Sequence, residues 1–246
     1  MTISEPLTDI FGDATDILAV QCTRWMEESA RFRDFVAAYR TKIRKKVRGL
    51  RDEEGRGDLL FELATAHRLL QERRFTIEYE KYGVGKQRTP DFVVTYKTNV
   101  VFNVEVKRMR AAPVVSTLPA PQEADVPRAE ELRDSNKLIN TICAKLGQLL
   151  PGTINLLALS ADGLVYAEEG IAQTMKLLQQ HADHKDEEYF VRRGFTSARD
   201  FLHDYQRLSA VLVRRGWDDD GAPMALWLNK QAQRPVPNDL YAILRR

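Results

Sequence analysis

TPDFVVTYKTNVVFNVEVKR, residues 89–108, holds two apolar runs, the first opened by Pro90-Asp91 and the second closed by Glu105-Val106-Lys107. Both runs are rich in Val, Phe and Tyr, residues that suit a pleated, half-buried surface. They are therefore expected as two strands joined by a tight turn near Lys97, Thr98 and Asn99. Side chains alternate between the faces of a strand. Asp91, Val93, Thr95 and Lys97 share one face of the first strand, and Val101, Asn103, Glu105 and Lys107 share one face of the second. Phe92, Val94, Tyr96, Phe102, Val104 and Val106 take the opposite faces. On this reading one side of the hairpin carries the polar groups and the other builds core.

Whether Asp91 joins Glu105 and Lys107 depends on register, because partners across an antiparallel pair point the same way. Paired residue numbers must sum to an even value. A two-residue loop at Thr98 and Asn99 would set Asp91 against Val106 and turn it away. An odd-length turn, or a bulge near Asp91, is therefore required.

Two carboxylates and an ammonium meeting at one end of a hairpin make an oxygen-rich pocket suited to a hard cation such as Mg²⁺, with room for a phosphate. A cation there would polarise a phosphodiester and acidify a water, and the lysine would steady developing negative charge. The competing reading is a plain ion pair of Asp91 or Glu105 with Lys107, which contributes little.

Pro90-Asp91 followed by Glu105-Val106-Lys107 resembles the motif of the PD-(D/E)XK nuclease superfamily. That family's core runs helix, three strands, helix, strand, and a glutamate on its first helix often joins the site. Residues 57–73, GDLLFELATAHRLLQER, supply such a helix, with Leu59, Leu63, Ala66 and Leu70 on one stripe and Glu62 in its first half. FTIEYE, 75–80, reads as the strand before a turn at Gly83 and Gly85. A helical pattern at 129–150 and a strand at 153–159 complete the order.

The resemblance covers about residues 57–160. It implies an α/β, restriction-endonuclease-like fold with a mixed central sheet flanked by helices. It also implies that Asp91 and Glu105 ligate Mg²⁺, with Mn²⁺ able to substitute, and that the backbone carbonyl of Val106 is a third contact. Lys107 would position or activate the attacking water. Glu62 would bind a second metal or hold a water; the plain reading of the same residue is an exposed glutamate near a helix N-terminus, where the dipole favours negative charge. On helix 129–150 one stripe holds Lys137, Thr141, Lys145 and Gln148, and Lys145 and Gln148 are the candidates for contact with the scissile phosphate. An ordinary solvated face would look the same.

With 246 residues and 43% hydrophobic content the chain can bury a sizeable core. Its 37 Lys and Arg against 35 Asp and Glu leave a formal charge of +2, so any nucleic-acid affinity must come from local patches. One such patch lies in the helical pattern at 24–50. Seven basic residues and no acid fall between Arg40 and Arg51, among them Arg44, Lys45 and Lys46. A run of this kind is also what a solvated helix face looks like. Two cysteines, Cys22 and Cys143, make no disulfide framework and suit a reducing cytoplasm. The acidic start at residues 1–20 does not resemble a signal peptide and is expected as a loose lead-in, and no apolar run is long enough to span a bilayer.

Residues 1–56 are expected as an N-terminal helical extension and 161–246 as helices and strands that extend the core, all within one domain. The proline-rich stretch 111–128 leaves the strand just after Lys107 and reads as a loop that could lie over the site. Helices are expected at 166–181 and 196–207, and strands at 208–215 and 224–230 that lengthen the sheet. Trp217 with Asp218, Asp219, Asp220 and Gly221 is a polar turn that lacks the later ligands of a calcium loop. His181 and His184 have the spacing of a metal pair without a third partner. Phosphate-loop and nucleophile-elbow motifs are missing.

The expected function is therefore a metal-dependent DNA endonuclease in restriction, repair or defence. RNA stands as a less favoured substrate, and a homodimer or a partner protein is compatible with this reading. The alternative is a non-catalytic nucleic-acid-binding or scaffold protein. An acidic cluster argues against it, because the cluster repels phosphate unless a cation sits there.

Overall fold

A computed structural model describes residues 9–12, 15–81, 89–110, 126–161, 168–214 and 225–245. Helices α1 (Ile17–Glu28), α2 (Ala30–Ala38), α3 (Arg40–Gly49) and α4 (Glu53–Gln71) lead into strands β1 (Phe75–Tyr79), β2 (Phe92–Tyr96) and β3 (Val100–Met109). Helix α5 (Val126–Leu146) and strand β4 (Ile154–Ala161) follow. Then come α6 (Glu168–Asp183), α7 (Glu187–Val191), α8 (Ala198–Tyr205), β5 (Ala210–Arg214), β6 (Ala225–Leu228) and α9 (Asn238–Leu244). The six strands form one mixed sheet in sequence order. β1, β2 and β3 are antiparallel neighbours, β3–β4 and β4–β5 are parallel, and β6 returns antiparallel along β5. The last two strands thus lengthen the sheet edge, as expected, and among the described residues no helix is long and apolar enough to cross a membrane.

Each face of the sheet is covered by its own apolar layer. Even-numbered hairpin residues Phe92, Val94, Tyr96, Phe102 and Val104 pack under α1–α4 and α9, joined by Phe75, Ile77 and Tyr79 of β1. Met109, Leu157, Leu159, Val211 and Val213 pack on the opposite face under α5, α6, α7 and α8. The polar side of the hairpin is therefore not a solvent face. Asn103 and Glu105 are 5% and 7% exposed, enclosed by the second helical layer. Burial obliges these polar groups to find partners. Asn103 donates to Thr153 Oγ1 at 2.9 Å and Asn155 Oδ1 at 3.2 Å, and Asn155 in turn donates to the Leu150 and Arg207 carbonyls. This network ties β3, β4 and the entry to β5 together at one end of the sheet.

The N-terminal part differs from the single helix expected over 24–50. Three short helices replace it, broken at Ser29 and Tyr39. Ser29 turns extended and its hydroxyl accepts the Phe32 N–H at 3.2 Å, a side-chain cap that starts a new helix where the periodicity alone continues. The lead-in is also ordered earlier than expected. Asp16 caps α1, and the helical residues Ile10 and Phe11 are buried in the first core layer. The described residues of this lead-in, 9–12 and 15–20, are thus built into the fold. The turn at Gly83 and Gly85, the loop over most of 111–128 and the Trp217–Gly221 turn lie outside the described residues.

Candidate active site

Register decides the site. Phe92 pairs with Val104 and Tyr96 with Val100, so every pair sums to 196 and three residues, Lys97, Thr98 and Asn99, form the odd-length turn. One step beyond Phe92, Asp91 stands opposite Glu105 on the same face, and Lys107 follows two residues further along β3. Pro90 would come next, opposite Val106, and proline has no N–H to give. The Asp91 carboxylate serves the other Val106 backbone group: its Oδ2 accepts the Val106 N–H at 2.7 Å. Since Pro90 cannot donate to it, the Val106 carbonyl at the strand end is suited to a cation.

Glu62 reaches this region from α4, on the other side of the sheet. Asp52 caps that helix by accepting the Gly55 N–H at 2.7 Å, and an apolar stripe from Leu59 to Leu70 seats it across β1–β3. At the strand ends Lys46 of α3 lies between two acids, with its Nζ 2.6 Å from Glu62 and 2.8 Å from Glu80. The same ammonium is 4.9 Å from the centre of the Tyr79 ring. Glu80 sits at φ +44°, a left-handed conformation unusual for a non-glycine residue. Lys42 fixes this corner by donating to the carbonyls of Tyr79 and Glu80, each at 2.8 Å. On the α5 side, Lys145 Nζ is 2.6 Å from Glu105 Oε1 and 3.0 Å from Gln148 Oε1.

The electrostatics follow from crowding acids in a partly dry place. Burial pushes the Asp91 carboxyl up to about 6, and the nearby Glu105 charge acts in the same direction. Burial likewise raises Glu62, opposed by Lys46 and reinforced by Asp91, so the two acids feel one another across the strand end. Burial works against the charge of Lys46, but Glu62 and Glu80 together outweigh it and hold its pKa above the ordinary lysine value. Among the described residues no three His, Cys, Asp or Glu side chains form a ready metal cage, and lysines stand at two of the three acids. The donor set nevertheless fits a hard cation. The Val106 N–H engages one oxygen of Asp91 and Lys145 one oxygen of Glu105, while the mutual repulsion of the two carboxylates favours a positive ion between them.

Beside these acids an open cleft of about 610 Å³ is lined by Lys107, Asn136, Lys137, Asn140, Thr141, Ala144 and Lys145. The α5 stripe read from the sequence therefore lines a cavity together with Lys107, and Lys145 also contacts Glu105. Gln148 lies past the end of the helix, as partner to Lys145.

The basic run divides. Arg40 and Arg44 bind Asp9, Lys42 and Lys46 serve the strand corner, and Lys45, Arg48 and Arg51 are exposed. The sequence reading missed Glu80 and the inward role of Lys46. The signal lay in Lys42 and Lys46 flanking the Tyr39, Ile43 and Val47 stripe at a spacing of four. His181 spends its Nδ1 on Asp186 at 2.8 Å and stacks on Tyr189, and Cys22 and Cys143 are free and buried. No protein-family model, curated protein or solved structure matches this chain.

Proposed function

We propose that this protein is a metal-dependent nuclease that hydrolyses phosphodiester bonds, with α4, β1–β3, α5 and β4 as a restriction-endonuclease-like core. The observation that carries this reading is the opposition of Asp91 and Glu105 at the hairpin end, with Lys107 on the same face beside a lysine-lined cleft. Asp91, Glu105 and the Val106 carbonyl would hold Mg²⁺ or Mn²⁺, which supplies Lewis acidity to the phosphate and lowers the pKa of a water. Lys107 orients the attacking water and offsets charge on the phosphate. Lys137 and Lys145 hold the flanking phosphates along α5, and Glu62 adds negative charge from the other side of the sheet. DNA is the preferred substrate.

One observation favours a second reading, a non-catalytic nucleic-acid-binding protein: Lys46 and Lys145 already neutralise Glu62 and Glu105. The deciding experiment incubates wild-type and Asp91→Ala protein with plasmid, linear and single-stranded DNA and with RNA, in Mg²⁺, Mn²⁺ or EDTA. Metal-dependent cutting lost in the variant supports the nuclease. Binding without cutting in any metal supports the second reading, and equal cutting by both proteins assigns the activity elsewhere.

A further inference from the structure

We infer that Lys46 takes the place of a second divalent cation, so that the site accepts one metal ion per chain, at Asp91 and Glu105, and Glu62 is not a ligand. The inference rests on the metal-dependent reading above. Its geometry is local. The ammonium of Lys46 bridges Glu62 at 2.6 Å and Glu80 at 2.8 Å, two carboxylates from different elements, as a bridging cation would. The Tyr79 ring closes one side at 4.9 Å. Neither acid is well solvated, with side chains 13% and 32% exposed, and the lysine itself is 29% exposed.

Three features make the ammonium hard to displace. Lys46 projects from a helix fastened to the same corner by Lys42, whose two bonds go to the carbonyls of Tyr79 and Glu80. Glu80 is turned toward it by a backbone at φ +44°. A divalent ion entering here would also have to expel a fixed positive charge at close range. Glu105 differs, because its partner Lys145 lines the open cleft and bridges no second acid, its other contact being the neutral Gln148. A cation coming from the cleft therefore has to displace a lysine held by one carboxylate, whereas at Lys46 it would have to displace one held by two. The acids divide into a pair served by the solvent ion and a pair served by the protein's own ammonium.

The test counts bound Mn²⁺ directly, by titration calorimetry and electron paramagnetic resonance, for wild type, Lys46→Arg, Lys46→Met and Lys46→Met with Glu62→Gln. One ion per chain is expected for wild type and Lys46→Arg, two for Lys46→Met, and one again when Glu62→Gln is added. Two ions on the wild type would overturn the inference and leave the nuclease reading intact, as would a Lys46→Met protein that still binds one. Absence of binding by wild type would remove the metal-dependent reading and this inference with it. Should Lys46→Met fail to fold, the wild-type and Lys46→Arg counts decide alone.

Discussion

The β2–β3 register, continued one step beyond Phe92–Val104, sets Asp91 opposite Glu105, and the Asp91 carboxylate accepts the Val106 N–H at 2.7 Å. A backbone donor at the strand end is thus satisfied by an acid side chain. The side chain that accepts this bond is also one whose charge is opposed, by burial and by Glu105.

Asp91→Asn separates these two roles. The amide oxygen can still accept the Val106 N–H while the charge is gone. In metal-free neutral buffer the variant is expected to be more stable than wild type by about 1–3 kcal/mol, given about 1.4 kcal/mol per pKa unit. It should also lose Mg²⁺-induced stabilisation and all cleavage. Urea midpoints at unchanged slope, with and without Mg²⁺, measure both effects. A variant less stable than wild type would mean that the charge is compensated in the folded protein.

The pH dependence has a definite sign. Folded Asp91 keeps its proton to about 6, whereas its ordinary value is 3.8, so between those values the folded state binds more protons. Stability contributed by this group therefore falls as pH rises through that window, and the penalty is complete above it. It amounts to at most about 3 kcal/mol. Glu62 is raised as well and adds in the same direction. Subtracting the Asp91→Asn profile from the wild-type profile in EDTA isolates the effect. A flat difference would exclude it, and saturating Mg²⁺ should cancel the drop.

Lys145 and Lys107 should behave oppositely. Lys145→Met leaves Glu105, whose side chain is 9% exposed, without its cation. Removing one partner of a buried pair costs about 3–5 kcal/mol, and Mg²⁺ should restore most of that loss. Lys107 makes no ion pair among the described residues, so Lys107→Met should move stability by less than about 0.5 kcal/mol while abolishing cleavage. Thermal melts paired with a cleavage assay distinguish them. Equal destabilisation by both would show that Lys107 also holds the fold.

Gly57 lies inside α4 where a Cβ would come within 2.6 Å of the Arg108 Cζ. Arg108 crosses there to pair with Glu54 and Asp58, and Arg110 reaches the same two acids. Gly57→Ala alone trades a helix-propensity gain of about 1 kcal/mol against disruption of these pairs, so it should be neutral or destabilising. In an Arg108→Ala background the same change should stabilise by about 1 kcal/mol. A double-mutant cycle measures the coupling, and additive effects would show that the guanidinium moves aside freely.

Much of the strand and helix layout was legible because the hairpin alternates polar and apolar residues and α4 carries a clean apolar stripe. For Asp91 to join Glu105 the pairing rule required an odd-length turn or a bulge, and the three-residue turn at Lys97, Thr98 and Asn99 is the one the register shows. The N-terminal break was not legible. A helical period runs through Ser29 without interruption, and only the capping bond to the Phe32 N–H shows that the backbone turns there.

Residue type and spacing along the chain determined that Glu105 and Lys107 share a face and that Glu62 belongs to an amphipathic helix. The register put Asp91 with them, and the helix starts at Glu53, which sets Glu62 at its middle and not near its N-terminus. Which charges neutralise which was decided only in three dimensions. Lys46 lies 16 residues from Glu62 and Lys145 lies 40 from Glu105. Such pairs form because packing of helices on opposite faces of the sheet brings distant groups to one strand end. Coulomb energy depends on that distance in space, and sequence separation does not encode it.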